Sequence, residues 1–166
     1  FWLAGRQIRH VAKNRGAVPA AFDTKITLAA HQKAADYTIA KARFGLIELA
    51  WGAAIVVGWT LLGGLSVLNH AMANWFGNGL TQQIALLAAF VAIGSLLDLP
   101  FTLYQTFVIE ERFGFNKTSM KLWLQDFAKS LLLSALIGLP FITLVIWMMG
   151  ATGPWWWLWV WGVWMG

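Results

Sequence analysis

Few residues in this 166-residue sequence have side chains suited to catalysis or metal binding. Asp98 stands out because it lies in the middle of a long apolar run, Ile84 to Ile109. An ionised carboxylate in hydrocarbon is costly, so it must face protein or water, which makes it a candidate proton- or ion-linked site. A local role competes with this. Pro100 can restart a half-helix, and Asp98 would then cap it by accepting the backbone N–H groups freed there. No second intramembrane acid or base completes a relay, so the cap is preferred. Glu48, at the start of another apolar run, is expected to reach the headgroups or to pair with Lys41 or Arg43. His10, His31 and His70 stand at unrelated positions, all expected in loops, and none belongs to an H-E-x-x-H motif. Zinc needs three or four convergent ligands, and no local set is present. The absence of cysteine removes thiolate sites, disulfides and cysteine nucleophiles. No catalytic, metal-ligating or cofactor-binding residue is therefore expected in this chain.

The elements that would carry these residues belong to a membrane. Hydrophobic residues make up 59% of the sequence and charged residues 11%, against roughly 25% charged in soluble domains. The 12 tryptophans point the same way, because indole rings favour the boundary between headgroups and acyl chains. A net charge of +5 would suit nucleic acid if it were spread over a surface. The basic residues instead cluster in particular loops, so the expected partner is a lipid bilayer and not nucleic acid. Leu46 to Leu68, Ile84 to Ile109 and Ser130 to Met149 are each long enough to span. Helix is expected in all three, because a lone strand in lipid leaves its backbone unpaired. The second run exceeds a bilayer core and must tilt, kink at Pro100 or protrude. The short apolar stretches at Phe1–Leu3 and from Trp155 to Gly166 are expected to be parts of cut helices. The expected fold is an all-α multi-pass bundle, with three complete spans and truncated helices at both ends.

Charge placement orients the bundle. Residues 4–44 hold Arg6, Arg9, Lys13, Arg15, Lys25, Lys33, Lys41 and Arg43, and residues 110–129 hold Arg112, Lys117, Lys121 and Lys129. The intervening loops, 69–83 and 150–154, carry no charge. This alternation places 4–44 and 110–129 in the cytoplasm, which also discounts the N-K-T glycosylation pattern at Asn116. Two divisions result: 1–44, a cut helix end with a basic helical loop, and 45–166, the bundle with an amphipathic loop at 110–129. A helix is expected from near Lys25 into the first span, with Ile26, Ala30, Tyr37 and Phe44 on one face. Gly114 suits a helix stop and Thr118 or Ser119 an N-cap. Beyond them Trp123, Leu124, Phe127 and Leu131 oppose Lys121, Gln125 and Lys129, an interfacial pattern. Ala50, Ala54 and Gly58 form a small-residue stripe, and Ser134 with Gly138 a shorter one, both suited to close helix packing. The tryptophans from Trp155 to Trp164 are expected at the outer interface and against lipid.

Three stretches carry a resemblance. LPFTLYQTFVIEERFGFNKTSMKLWLQD, from Leu99 to Asp126, closely resembles a hallmark region of the CAAX prenyl endopeptidases, integral-membrane zinc metalloproteases. DYTIAKARFGLIE, from Asp36 to Glu48, and the opening LAGRQIRHV are similar to that family's second and first membrane helices. The resemblance implies a multi-helix chamber in which an H-E-x-x-H helix and a later glutamate bind zinc and activate water. None of those residues occurs here, so this chain would supply wall helices of the parent hydrolase and be inactive by itself. Its partners would be lipid, the rest of the bundle with its catalytic part, and a peptide substrate, prenylated or not. A bacterial inner membrane is the expected location. Asp98, Pro100, Tyr104, Glu110, Glu111, Gly114, Asn116 and Lys117 match the family pattern and are expected to be structural, Glu110 and Glu111 pairing with Arg112 or Lys117. The alternative is a non-enzymatic transporter-like or scaffold subunit that uses Asp98.

Overall fold

In the computed structural model, which describes residues 1–165, every regular element is helical. They are α1 (Trp2–Asn14), α2 (Leu28–Thr60), α3 (Gly64–Phe76), α4 (Leu80–Tyr104), a π-helical segment (Gln105–Glu110), α5 (Met120–Ala151), a 3-10 turn (Gly153–Trp155) and α6 (Trp156–Met165). Three helical stretches are long and apolar enough to cross a membrane: Leu28–Thr60, Leu80–Glu110 and Met120–Ala151. At ~1.5 Å per residue each is ~46–50 Å long, well beyond a hydrocarbon core of ~30 Å. In α2 the charged residues Lys33, Asp36, Lys41 and Arg43 precede the apolar run that begins at Leu46.

Local chemistry sets the helix ends. Thr27 caps α2 by accepting from the Ala30 N–H at 3.2 Å, and Ser119 caps α5 by accepting from Leu122 at the same distance. The amphipathic stretch at Lys121–Lys129 is continuous with the span that follows it. Two expectations fail here. The first apolar run is not one helix: α2 ends at Thr60, Gly63 adopts a left-handed φ of 79°, and α3 begins at Gly64. Counting apolar residues does not register this break, because Gly63 and Gly64 sit in apolar surroundings while Gly63 turns the chain freely. In consequence, much of the expected loop at 69–83 lies within α3 and the first turn of α4. The histidines are also in helices, His10 in α1, His31 in α2 and His70 in α3.

The chain divides into two compact units, one of residues 1–62 with 98–117 and the other of 63–97 with 118–166. The second unit is mostly exposed apolar surface, with Leu132 70% and Trp164 74% accessible, as a lipid-facing helix requires. Its polar exception is Gln82, 8% accessible, whose amide donates to Asn69 Oδ1 and so ties α4 to α3. Ser134 and Gly138 line a cleft of about 180 Å³ whose facing wall includes Ala88, Ala92 and Ser95. Trp164 meets Phe141 edge-on at 5.8 Å, joining α6 to α5. The first unit is built differently, around specific side-chain pairs.

Candidate functional site

In the first unit, α2 presents an aromatic residue every seventh position, and each meets an aromatic partner from the end of α4 or from the residues just after the π-helical segment. Tyr37 packs on Phe113 at 5.5 Å and on Phe115 at 4.7 Å. Phe44 lies against Tyr104 at 5.0 Å and Phe101 at 5.8 Å, and Trp51 stacks on Phe101 at 5.7 Å. Residue numbers rise along one side of this seam and fall along the other, so the two segments run antiparallel. Sevenfold spacing keeps 37, 44 and 51 on one helical stripe. Of the face expected from the sequence, Tyr37 and Phe44 take part. Ile26 precedes α2 and Ala30 is exposed; Ala35 is the buried residue of this helix.

The charged end of the seam is tied to α1. Arg15 donates from Nε to Asp36 Oδ1 at 2.6 Å and from its terminal nitrogen to Oδ2 at 2.7 Å, a bidentate pair. Asp36 precedes the apolar run of α2, which begins at Leu46. The Arg15 hydrogen bonds hold its carboxyl below the usual carboxylate range, against partial desolvation, with weaker help from the charges of Arg15 and Arg112. The same hydrogen bonds raise Arg15 further. His31 Nε2 meets the Asn14 carbonyl at 3.0 Å, and Lys33 and Lys41 rest over the rings of Phe115 and Tyr37 at 5.6 and 5.8 Å.

A turn after the π-helical segment folds the hallmark residues back onto this cluster. Gly114, at φ 71°, ends the helix. The Phe115 and Asn116 N–H groups then donate to the Glu110 carbonyl at 2.9 and 3.3 Å, closing its end. Glu111 Oε2 accepts from the Asn116 amide at 2.9 Å. The expected pairing of Glu110 and Glu111 with Arg112 or Lys117 does not form among the described residues. Arg112 lies over Phe113 at 5.8 Å, and Lys117 is exposed. Glu48 likewise makes no ion pair with Lys41 or Arg43.

The cap expected at Asp98 is also absent. Helix α4 runs through Pro100 unbroken, so no half-helix begins there and no N–H group is released to the carboxylate. A proline in an apolar helix is tolerated where local adjustment re-satisfies the backbone, and the wider winding from Gln105 to Glu110 follows within two turns. Asp98 is exposed, and its carbonyl accepts from the Thr102 hydroxyl at 3.2 Å. Pro100 and Tyr104 line a small cleft with Phe44 and Phe101. The hallmark positions thus divide: Pro100, Tyr104, Glu110, Glu111, Gly114 and Asn116 shape the seam or its turn, whereas Asp98 and Lys117 stand outside it. Arg15, Asp36 and Trp51, which complete the seam, were not singled out by sequence. The heptad continuing from Tyr37 and Phe44 to Trp51 is the signal that points to Trp51.

Among the described residues no three His, Asp or Glu side chains converge on a metal position. The residues present do not fit a zinc centre. What the arrangement does chemically is to brace α1, α2 and the segment around Phe113 and Phe115 against one another.

Comparison with known proteins agrees on one family. The family profile described as CAAX prenyl protease N-terminal, five membrane helices, matches residues 7–166. CAAX prenyl protease 1 of Saccharomyces cerevisiae is 28% identical over 155 residues, covering 87% of this chain and 34% of the yeast protein. A homologue of that enzyme from Oryza sativa subsp. japonica is 39% identical over 85 residues, covering 51% of this chain and 20% of the rice protein. The crystal structure of S. mikatae Ste24p superposes with a TM-score of 0.84 at 26% identity, over 92% of this chain and 36% of that one. The chain spans about a third or less of the length of these relatives. All three come from eukaryotes, so they lend no support to the bacterial inner membrane expected from the sequence.

Proposed function

Because the chain belongs to the CAAX prenyl protease family, as part of its amino-terminal region of membrane helices, we propose that it forms wall helices of a zinc-dependent membrane endopeptidase. The observation that carries this is the family match across residues 7–166, in which the hallmark stretch is also the stretch that closes the aromatic seam. Zinc bound in the whole protein would activate water for peptide hydrolysis, and since no H-E-x-x-H pair occurs in this sequence, its residues would not be the ligands. The contribution of this chain is positional. Its spans exclude bulk water from a chamber, and the Arg15–Asp36 pair and the turn at Gly114 hold α1, α2 and the hallmark segment in register.

The substrate class is a peptide ending in a prenylated CAAX sequence, as the names of the relatives imply. Residues 4–44 and 110–129 lie in the cytoplasm, with the membrane-embedded part starting at about residue 45. The absence of cysteine allows a clean check of sidedness. Lys33→Cys and Lys121→Cys, tested singly, should both react with a membrane-impermeant maleimide from the same face. Activity is tested on the intact gene product, purified and given a farnesylated CAAX peptide. Cleavage next to the prenylated cysteine should be abolished by a zinc chelator and restored by zinc, while residues 1–166 alone should show none. An intact product that leaves the peptide whole, or that cuts it regardless of chelator, would end the enzyme reading.

A further inference from the structure

Beside the seam the first unit holds a cleft of about 290 Å³, with Phe44, Ile47, Val108 and Ile109 on its apolar side and Arg43 and Arg112 as its basic residues. Arg43 comes from α2, and Arg112 lies two residues past the π-helical segment. Both are exposed, and among the described residues neither is in an ion pair. Asp36, whose carboxylate senses Arg112, already accepts both of its short hydrogen bonds from Arg15. Arg112 rests over the Phe113 ring at 5.8 Å and is exposed to solvent.

The cleft lies at a change of environment. Along α2 the charges Lys41 and Arg43 give way to the apolar run from Leu46, so the cavity has its arginines on the aqueous side and its apolar wall in hydrocarbon. A ligand that satisfies both parts carries an anion at one end and a chain at the other. The volume sits at the lower edge of the roughly 300–1,000 Å³ typical of small-molecule sites. It suits a headgroup phosphate with the first methylenes of one chain, not a whole lipid. Guanidinium groups donate in pairs to phosphate oxygens, and basic pockets between membrane helices take anionic headgroups.

We propose that this cleft binds an anionic phospholipid, its phosphate held between Arg43 and Arg112 and one acyl chain along Phe44, Ile47, Val108 and Ile109. Such a lipid bridges α2 and the hallmark segment, adding to the seam from the membrane side. The proposal rests on α2 crossing a bilayer and is independent of proteolysis, so loss of the enzyme assignment leaves it standing.

The intact gene product, solubilised in detergent, is titrated with phosphatidylglycerol or phosphatidylcholine, and bound lipid is read by native mass spectrometry. Phosphatidylglycerol should bind about ten-fold more tightly, and R43A/R112A should lose that advantage. K13A/K25A, outside the cleft, should keep it. The single variants R43Q and R112Q should each lose about three-fold, which tests the site even where the double variant is poorly folded. Equal retention of the two lipids, an equal loss in K13A/K25A, or no loss in either single variant overturns the proposal. Displacement of phosphatidylglycerol by equimolar inorganic phosphate overturns it in favour of a free-anion site. Displacement by a farnesylated peptide through the same arginines overturns it in favour of a peptide site.

Discussion

The two units hold their helices in opposite ways. In residues 1–62 with 98–117, helices meet through paired rings, a bidentate ion pair and cations laid over aromatic faces. In residues 63–97 with 118–165, most large side chains are exposed, and Gln82, the one buried polar residue among those described, does work that many contacts share in the other unit. The contrast follows from solvent. Lipid is as apolar as leucine, so a helix immersed in it gains little by burying leucine against a neighbour. Near water, ordering a basic segment costs conformational entropy that must be met by specific contacts. The lesson is that in this chain hydrophobicity locates the helices, while polar and aromatic pairs decide which helix touches which.

The comparison can be broken most directly at Tyr37. Tyr37→Ala removes two ring contacts at once and should lower the stability of the solubilised protein by about 3 kcal/mol. Leu132→Ala, at an exposed site of similar apolar character, should cost less than ~0.5 kcal/mol. Thermal unfolding followed by circular dichroism compares the pair, and equal losses would erase the distinction between the units. Asn69→Ala probes the exception in the second unit. It leaves the Gln82 amide buried without its acceptor and should cost about 2 kcal/mol, with Asn69→Asp recovering part of it. An unchanged melting temperature would mean that α3 and α4 are held by packing alone.

The smallest effect is expected from pH. Asp36 has a lowered pKa in the folded protein, so the stability it contributes is fully present above its unfolded value of ~3.9. That contribution is lost as the pH falls through the lower folded value, because protonation breaks the acceptor side of the pair. Both partners are about two-fifths exposed, so the change is modest and weakens further in salt. Asp36→Asn should flatten this part of the acid profile between pH 5 and 2 while leaving the profile above pH 6 unaltered. A profile identical to that of the unsubstituted protein would remove the pair from the first unit's account.

The fold class was legible because its signals are local and additive. Runs of apolar residues, Gly114 as a stop and Ser119 as a cap each depend on a few neighbouring residues. The break at Leu61–Gly63 was not legible, because hydropathy measures transfer to lipid and is blind to a single positive φ. The pairing of Glu110 and Glu111 with Arg112 was misjudged for a related reason. Adjacent opposite charges look like partners in sequence, but on a helix neighbours point apart, and Glu111 instead finds Asn116 across the turn. Pro100 suggested a break in isolation, whereas the helix absorbs it further along. Arg15 and Asp36 are separated by a loop that carries no record of its own closure, so their pairing is visible only in three dimensions.

The six residues from Gln105 to Glu110 carry a last consequence. Each turn of a π-helix holds about one residue more than an α-turn, so this stretch sets the angular phase of everything after it. Winding the same six residues as an ordinary α-helix would swing Phe113 and Phe115 by ~100° about the axis, away from Tyr37. The wide winding of this short interval is thus as much a part of the specification as its composition. A single-codon deletion that lets five residues wind as α would nearly restore that phase, whereas α winding at full length would lose it.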